Sequence, residues 1–140
     1  MLANLDRDAL VLEMEGAECT WALRRRVLVP LRCVRWVSTE LPRRSLFSGT
    51  RARGTMLPPL LCAGTYYLRT RHGLRKVFAF VRRPDACVTI RLSDHEFDLV
   101  MFDADDKVAT AMSISESAGI ELSHPADMHA RTRARKLAVL

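Results

Sequence analysis

The stretch GTRARGTMLPPLLCAGTY, residues 49–66, combines glycines with nearby arginines and is the first candidate for chemistry. A P-loop that binds phosphate has two glycines separated by four residues, followed by lysine and Ser or Thr, between a strand and a helix. Gly49 and Gly54 have that separation, but threonine follows Gly54 where lysine is required. We interpret these glycines as turn residues, with Pro58 and Pro59 stiffening the approach to a strand. An anion held by backbone N–H groups is the alternative.

Arginines dominate the middle of the chain. From Arg24 to Arg83 there are fifteen Arg or Lys residues and a single acid, Glu40, whereas the flanking segments 1–23 and 84–127 are mainly acidic. Such a segment attracts phosphate groups without reading sequence. The plainer interpretation is solvated surface charge. The candidate anion-binding or partner-binding residues are Arg24, Arg25, Arg26, Arg43, Arg44, Arg51 and Arg53.

Aromatic residues do not support nucleic-acid recognition. Proteins that bind single strands usually stack bases on exposed aromatic side chains. Trp21 and Trp36 fall instead at positions on the apolar faces of predicted strands, so we expect them in the core. We therefore do not expect sequence-specific binding to nucleic acid.

The sequence patterns that could indicate a catalytic or metal-binding site are weak. Asp103, Asp105 and Asp106 resemble a carboxylate cluster for Mg²⁺, but acids also cap and stabilise a helix N-terminus. The Ser-Asp-His run at 93–95 consists of adjacent residues, which cannot form the geometry of a catalytic triad. No histidine shares a zinc-ligand spacing with any of the four cysteines. We expect no enzymatic activity, cofactor or metal.

Length and composition are typical of one globular domain. The chain has 140 residues, of which 49% are hydrophobic and 27% charged. Its first residues lack the basic start and apolar run of a signal peptide, and no apolar stretch approaches a transmembrane span. The scattered cysteines are expected to be reduced core thiols. These features predict a cytoplasmic protein.

Alternating apolar residues predict seven strands. The first two, residues 9–14 and 17–24, flank Glu15-Gly16 and are predicted to form a β-hairpin. Further strands are expected within 33–40 and over 60–71, 74–83, 87–92 and 97–102.

The remaining segments are predicted from their glycines, prolines and charges. Residues 41–59 lack a sustained period, which indicates a long loop. A helix is expected at about 104–118, with Val108, Ala111 and Met112 on its apolar face and Gly119 ending it. Residues 1–120 then form one domain, and residues 121–140 are a basic tail without the strong apolar period of an ordered element.

The predicted fold class is mainly β. Seven strands in one flat sheet would leave long exposed edges, so we expect a barrel or two packed antiparallel sheets. The C-terminal helix would cap one open end.

The order of seven strands and a capping C-terminal helix resembles the pleckstrin-homology-like (PH-like) barrel. Residues 51–106 are similar to a family of small, uncharacterised PH-like proteins from bacteria, and the similarity covers most of residues 27–111. Two positions depart from that pattern, because Arg53 replaces an expected proline and Pro59 an expected glycine. The matching residues are Arg51, Gly54, Thr55, Leu57, Pro58, Gly64, Thr65, Tyr66, Phe78, Leu99, Val100, Asp105 and Asp106.

The resemblance implies a binding role rather than a reaction. Lipid-binding PH domains hold phosphates with cations beside the first hairpin turn, whereas this chain has Glu13, Glu15 and Glu18 there. We therefore expect a protein-interaction module that binds a partner or a second copy, most simply at an exposed strand edge. Docking to an anionic membrane through the arginine-rich segment is the first alternative. A small-ligand-binding barrel or an enzyme is the second.

Overall fold

A computed structural model describes residues 1–39, 50–57, 61–70 and 73–120, with the backbone alone described at 50–57, 61 and 68–70. These ranges contain nine strands and two α-helices. The strands are β1 (Leu2–Leu5), β2 (Ala9–Glu13), β3 (Arg26–Pro30), β4 (Val34–Ser38), β5 (Thr50–Leu57), β6 (Leu61–Thr70), β7 (Gly73–Val81), β8 (Cys87–Leu92) and β9 (Leu99–Asp103), and the helices are α1 (Ala17–Ala22) and α2 (Lys107–Ala118).

The strands form two sheets, which confirms the mainly β fold with two sheets and a C-terminal helix. The small sheet has the order β1-β2-β3, and the large sheet has the order β4-β8-β9-β7-β6-β5. Neither closes into a barrel within the described ranges. All neighbours are antiparallel except β7 and β9, which run parallel because β9 inserts between β7 and β8. Six of the seven predicted strands are confirmed, and β1, β3 and β5 are additional.

The predicted hairpin around Glu15-Gly16 is wrong, because its second arm is the short helix α1. Gly16 and Leu23 both have positive φ, at 54° and 51°; Gly16 precedes the helix, and Leu23 ends it in the left-handed conformation. α1 buries Ala22 and leaves Leu23 59% exposed, whereas a strand over 17–24 would place Leu23 inward together with Trp21. The antiparallel partners of β2 are β1 before it and β3 after α1.

The predicted loop 41–59 is wrong over residues 50–57, where the backbone forms β5. This strand pairs with β6 along its length, and Gly54 lies opposite Gly64. The GTRARG stretch is therefore strand over its described residues, not a turn that grips phosphate. The rest of the predicted loop, residues 41–49, 58 and 59, lies outside the described residues.

The main core lies between the small sheet, one face of the large sheet and α2. Phe78, Phe80 and Phe102 of the large sheet are buried there with Leu10 and Leu12 of the small sheet. Within a strand these side chains come from positions two residues apart, as expected when one sheet face is buried. Burial of such large apolar side chains makes the largest favourable contribution to the stability of the fold.

Helix α2 confirms the predicted capping helix. The Asp106 side chain accepts a hydrogen bond from the Ala109 N–H at 3.0 Å, and Gly119 ends the helix in the left-handed conformation. Its predicted apolar face is partly wrong, because Val108 and Met112 are 49% and 47% exposed, whereas Ala111 and Ile114 enter the core. The tail, residues 121–140, lies outside the described residues.

Candidate functional site

The three consecutive arginines of the candidate set are placed at the start of β3. Arg24 donates two hydrogen bonds to the Glu96 carboxylate, at 2.7 and 3.1 Å, and its guanidinium lies 4.8 Å from the ring centre of Phe97. Arg26 faces Glu13 across the β2–β3 pair, with Nε 3.9 Å from Oε1. Arg25 is exposed and has no ion-pair partner among the described residues.

The other four candidate arginines are not brought into a described cluster. Arg43 and Arg44 lie outside the described residues, and Arg51 and Arg53 lie on β5, where the backbone alone is described. The described side chains include twelve Arg or Lys residues and thirteen Asp or Glu residues, against 22 and 16 in the whole chain. Positive and negative charge are therefore nearly balanced over the part of the surface that the structure describes.

The β3 edge of the small sheet is covered at Leu28 by the loop between β8 and β9. His95 Nε2 donates to the carbonyl oxygen of Leu28 on β3 at 2.7 Å, and His95 Nδ1 accepts from the Phe97 N–H at 3.0 Å. Glu96 of the same loop also accepts a hydrogen bond from Lys76 at 3.2 Å. Hydrogen bonds from Arg24, opposed by burial and supported by Lys76, lower the pKa of Glu96. This loop fixes β3 against the large sheet.

The opposite edge of the small sheet, β1, is open. Its residues pair with Leu10–Glu13 of β2 in an unbroken register, and their backbone forms no further backbone hydrogen bond to a described residue. The first three residues of β1 are exposed, with Leu2 at 55%. An edge of this kind leaves N–H and C=O groups available to another strand.

β1 borders a cleft of about 700 Å³ between the two sheets. Residues 1–3 form one wall, and the end of β7, the end of β9 and the first turns of α2 form the other. The charged side chains in the cleft are Glu18, Arg82, Arg83, Asp103 and Asp105. No motif in the sequence joins these residues, which come from three separate parts of the chain.

The insertion of β9 between β7 and β8 builds the far wall. The chain from β7 to β8 must cross the end of β9, and there the Asp103 carboxylate accepts the backbone N–H groups of Arg82 and Arg83 at 3.2 and 3.1 Å. The Arg83 guanidinium pairs with Asp105 at 2.9 Å and approaches Asp103 at 3.6 Å. Two of the three acids that resemble a Mg²⁺ cluster in sequence thus bind this crossing segment, and the third, Asp106, caps α2.

Glu18 lies at the other side of the cleft, on α1. It pairs with the N-terminal ammonium of Met1 and accepts the Glu15 N–H at 2.9 Å. Burial opposes its charge, but these hydrogen bonds outweigh burial and lower the pKa of Glu18, with a further contribution from the positive charge of Arg82. The charge of Glu18 is therefore neutralised within the protein.

Arg82 is the cleft arginine whose guanidinium forms no ion pair with a described carboxylate. It lies over the ring of Trp21 on α1, 5.6 Å from the ring centre, which is within cation–π range. The sequence pattern predicts Trp21 in the core of a strand, whereas the structure places it half-buried beside this arginine.

The described residues contain no group of three or more His, Cys, Asp or Glu side chains able to hold a metal ion. The four cysteines are free thiols, and three of them are buried. Burial raises the pKa of Cys62 and raises that of Cys87 to about 12. Neither of the described helices is long and apolar enough to cross a membrane.

Comparisons with protein-family models, with curated proteins and with solved structures found no match to this chain.

Proposed function

We propose that this chain is a non-enzymatic binding module that takes an extended peptide segment of a partner protein as a fourth strand of its small sheet, beside β1. The observation that carries the proposal is the open edge of β1 at the border of a charged cleft. In strand addition, main-chain hydrogen bonds supply affinity and neighbouring side chains supply specificity.

The two edges of the small sheet support the choice of β1. A peptide beside β3 would have to displace His95 from the Leu28 carbonyl oxygen, whereas a peptide beside β1 displaces no described backbone hydrogen bond. Because β1 has four residues, a partner gains few main-chain bonds, and the cleft side chains must add to the affinity. We expect dissociation constants in the micromolar range, about −8 kcal/mol.

Docking to an anionic membrane has less support from the described residues. Arg24 and Arg26 face Glu96 and Glu13, and the described charges nearly balance. Free thiols suit a reducing compartment, so the proposal places the module in the cytoplasm.

The test is a selection of binders from a displayed library of random ten-residue peptides, followed by affinity measurements on Ala3→Pro and Asn4→Pro. Successive N–H groups of a strand point to opposite sides, so one proline removes a bond to β2 and the other removes an outward donor. Thermal unfolding identifies the outward position as the variant that keeps its stability. That variant should lose peptide binding.

Amide hydrogen exchange supplies the second measurement, since it does not depend on a variant. A bound peptide should slow exchange at outward N–H groups within residues 2–5. Peptides that bind without slowing these amides, or that bind the stable proline variant normally, would place the site elsewhere. Dimerisation that slows the same amides without peptide would identify a second copy as the partner, and salt-sensitive binding to anionic vesicles alone would favour the membrane alternative.

A further inference from the structure

Some charged groups in the cleft have an oppositely charged partner in contact, and one does not. Glu18 is paired with the Met1 ammonium, and Arg83 is paired with Asp105 and lies beside Asp103. Arg82 remains as a cation with no described carboxylate in contact, although it lies near enough to Glu18 to contribute to the lowered pKa of that group.

Arg82 is positioned from both ends. Its backbone N–H donates to Asp103, and its guanidinium lies over the Trp21 ring. Contact with the face of a ring does not use the N–H groups of a guanidinium, so those of the exposed Arg82 side chain are available to donate to a ligand. An arginine already held in place loses less conformational entropy when it forms hydrogen bonds to a ligand.

We propose that the peptide segment that adds to β1 carries an Asp or Glu residue whose carboxylate binds the Arg82 guanidinium. This inference rests on the proposed function. A planar carboxylate matches the arginine fork and accepts two parallel hydrogen bonds. The single charge is favoured over a phosphate group, because the acids that line the cleft already offset its cations and leave no excess positive charge for a dianion.

The experiment uses acidic peptides selected from the random library, and a matched peptide in which the Glu or Asp is replaced by its amide. The affinity of each of the two peptides is measured for the wild-type protein and for Arg82→Gln, which gives four measurements. Loss of a charge-assisted hydrogen bond should weaken binding by about tenfold or more. The two changes should not add, because both remove the same pair. The amide peptide leaves the protein unaltered, so this arm does not depend on the folding of a variant.

Arg91→Gln is the matched control, since it removes one exposed positive charge on β8, outside the cleft. It should change affinity for the acidic peptide less than twofold. Equal losses for Arg91→Gln and Arg82→Gln would indicate general electrostatic attraction and overturn the inference. The reciprocal variant Arg82→Glu should shift the selected peptides from acidic to basic residues at the same position.

The outcomes separate the two proposals. Binders that depend on the β1 edge but have no fixed acidic position, or show no coupling to Arg82, would leave strand addition intact and overturn the carboxylate contact. A selection that yields no binder would overturn both.

Discussion

The buried face of α2 provides a direct test of the packing. The sequence pattern predicts Met112 on that face, whereas in the structure Ile114 is 1% exposed and Met112 is 47% exposed. Ile114→Ala and Met112→Ala each delete three heavy atoms from the same helix. The two variants therefore differ mainly in the environment of the deleted atoms.

The expected magnitudes follow from burial. Ile114 belongs to the main core, so its truncation loses apolar burial and leaves a cavity, at a cost of about 2–5 kcal/mol. The better helix propensity of alanine offsets this cost by only roughly a few tenths of a kcal/mol. Truncation of the half-exposed Met112 should cost less than about 1 kcal/mol.

Urea unfolding followed by the fluorescence of Trp21 and Trp36 measures both variants. For a dependence of about 2 kcal/mol per molar urea, a loss of about 3 kcal/mol lowers the midpoint by about 1.5 M. The midpoint of Met112→Ala should move by less than a third of that shift. Equal midpoints for the two variants, or a larger loss for Met112→Ala, would refute the described orientation of α2.

Three further predictions concern single groups. Hydrogen bonds from Arg24 lower the pKa of Glu96 in the folded protein. The stabilisation by Glu96 is therefore fully present above its usual pKa of 4.5 and is lost as pH falls through the folded pKa. The difference in urea midpoint between wild type and Glu96→Gln should shrink from pH 7 to pH 3, and a constant difference would contradict this. Asp106→Ala should cost about 1 kcal/mol through loss of the cap, with Asp106→Asn close to wild type in thermal unfolding. Cys87, with its pKa raised to about 12, should react with iodoacetamide at neutral pH only after unfolding. Rapid labelling of Cys87 in the native protein, detected by mass spectrometry, would contradict its burial.

Local patterns predict the elements whose environment is uniform along the strand. The β-branched run at 87–92 predicts a strand and forms β8, and Asp106 and Gly119 predict the start and end of the helix. The pattern fails at 17–24, where alternation is also compatible with a six-residue helix that buries Ala22. It fails again at 50–57, where glycine predicts a turn but the backbone forms a strand with a register shift between Arg51 and Arg53 and with Gly54 opposite Gly64.

The cleft could not be predicted from patterns within single segments of the sequence, for a physical reason. Its charged wall exists because β9 inserts between β7 and β8, and this order depends on long-range pairing rather than on any segment alone. In sequence, Arg82 and Arg83 are two adjacent cations of the arginine-rich segment, and their roles separate only when Trp21 and Asp105 become their neighbours. No spacing in the sequence indicates that separation.

The sequence of β1 supplies an independent argument for the proposed strand addition at its edge. Proteins protect exposed edges with charged residues, proline, bulges or covering loops. β3 has Arg26 and Pro30 and is covered at Leu28 by His95. β1 reads Leu-Ala-Asn-Leu, with no charge or proline, and it pairs with β2 without a bulge. Both strands are short, so length does not distinguish them. The small sheet thus protects its β3 edge and leaves its β1 edge unprotected, beside Arg82, which has no described ion-pair partner. Strand addition at β1 requires this arrangement.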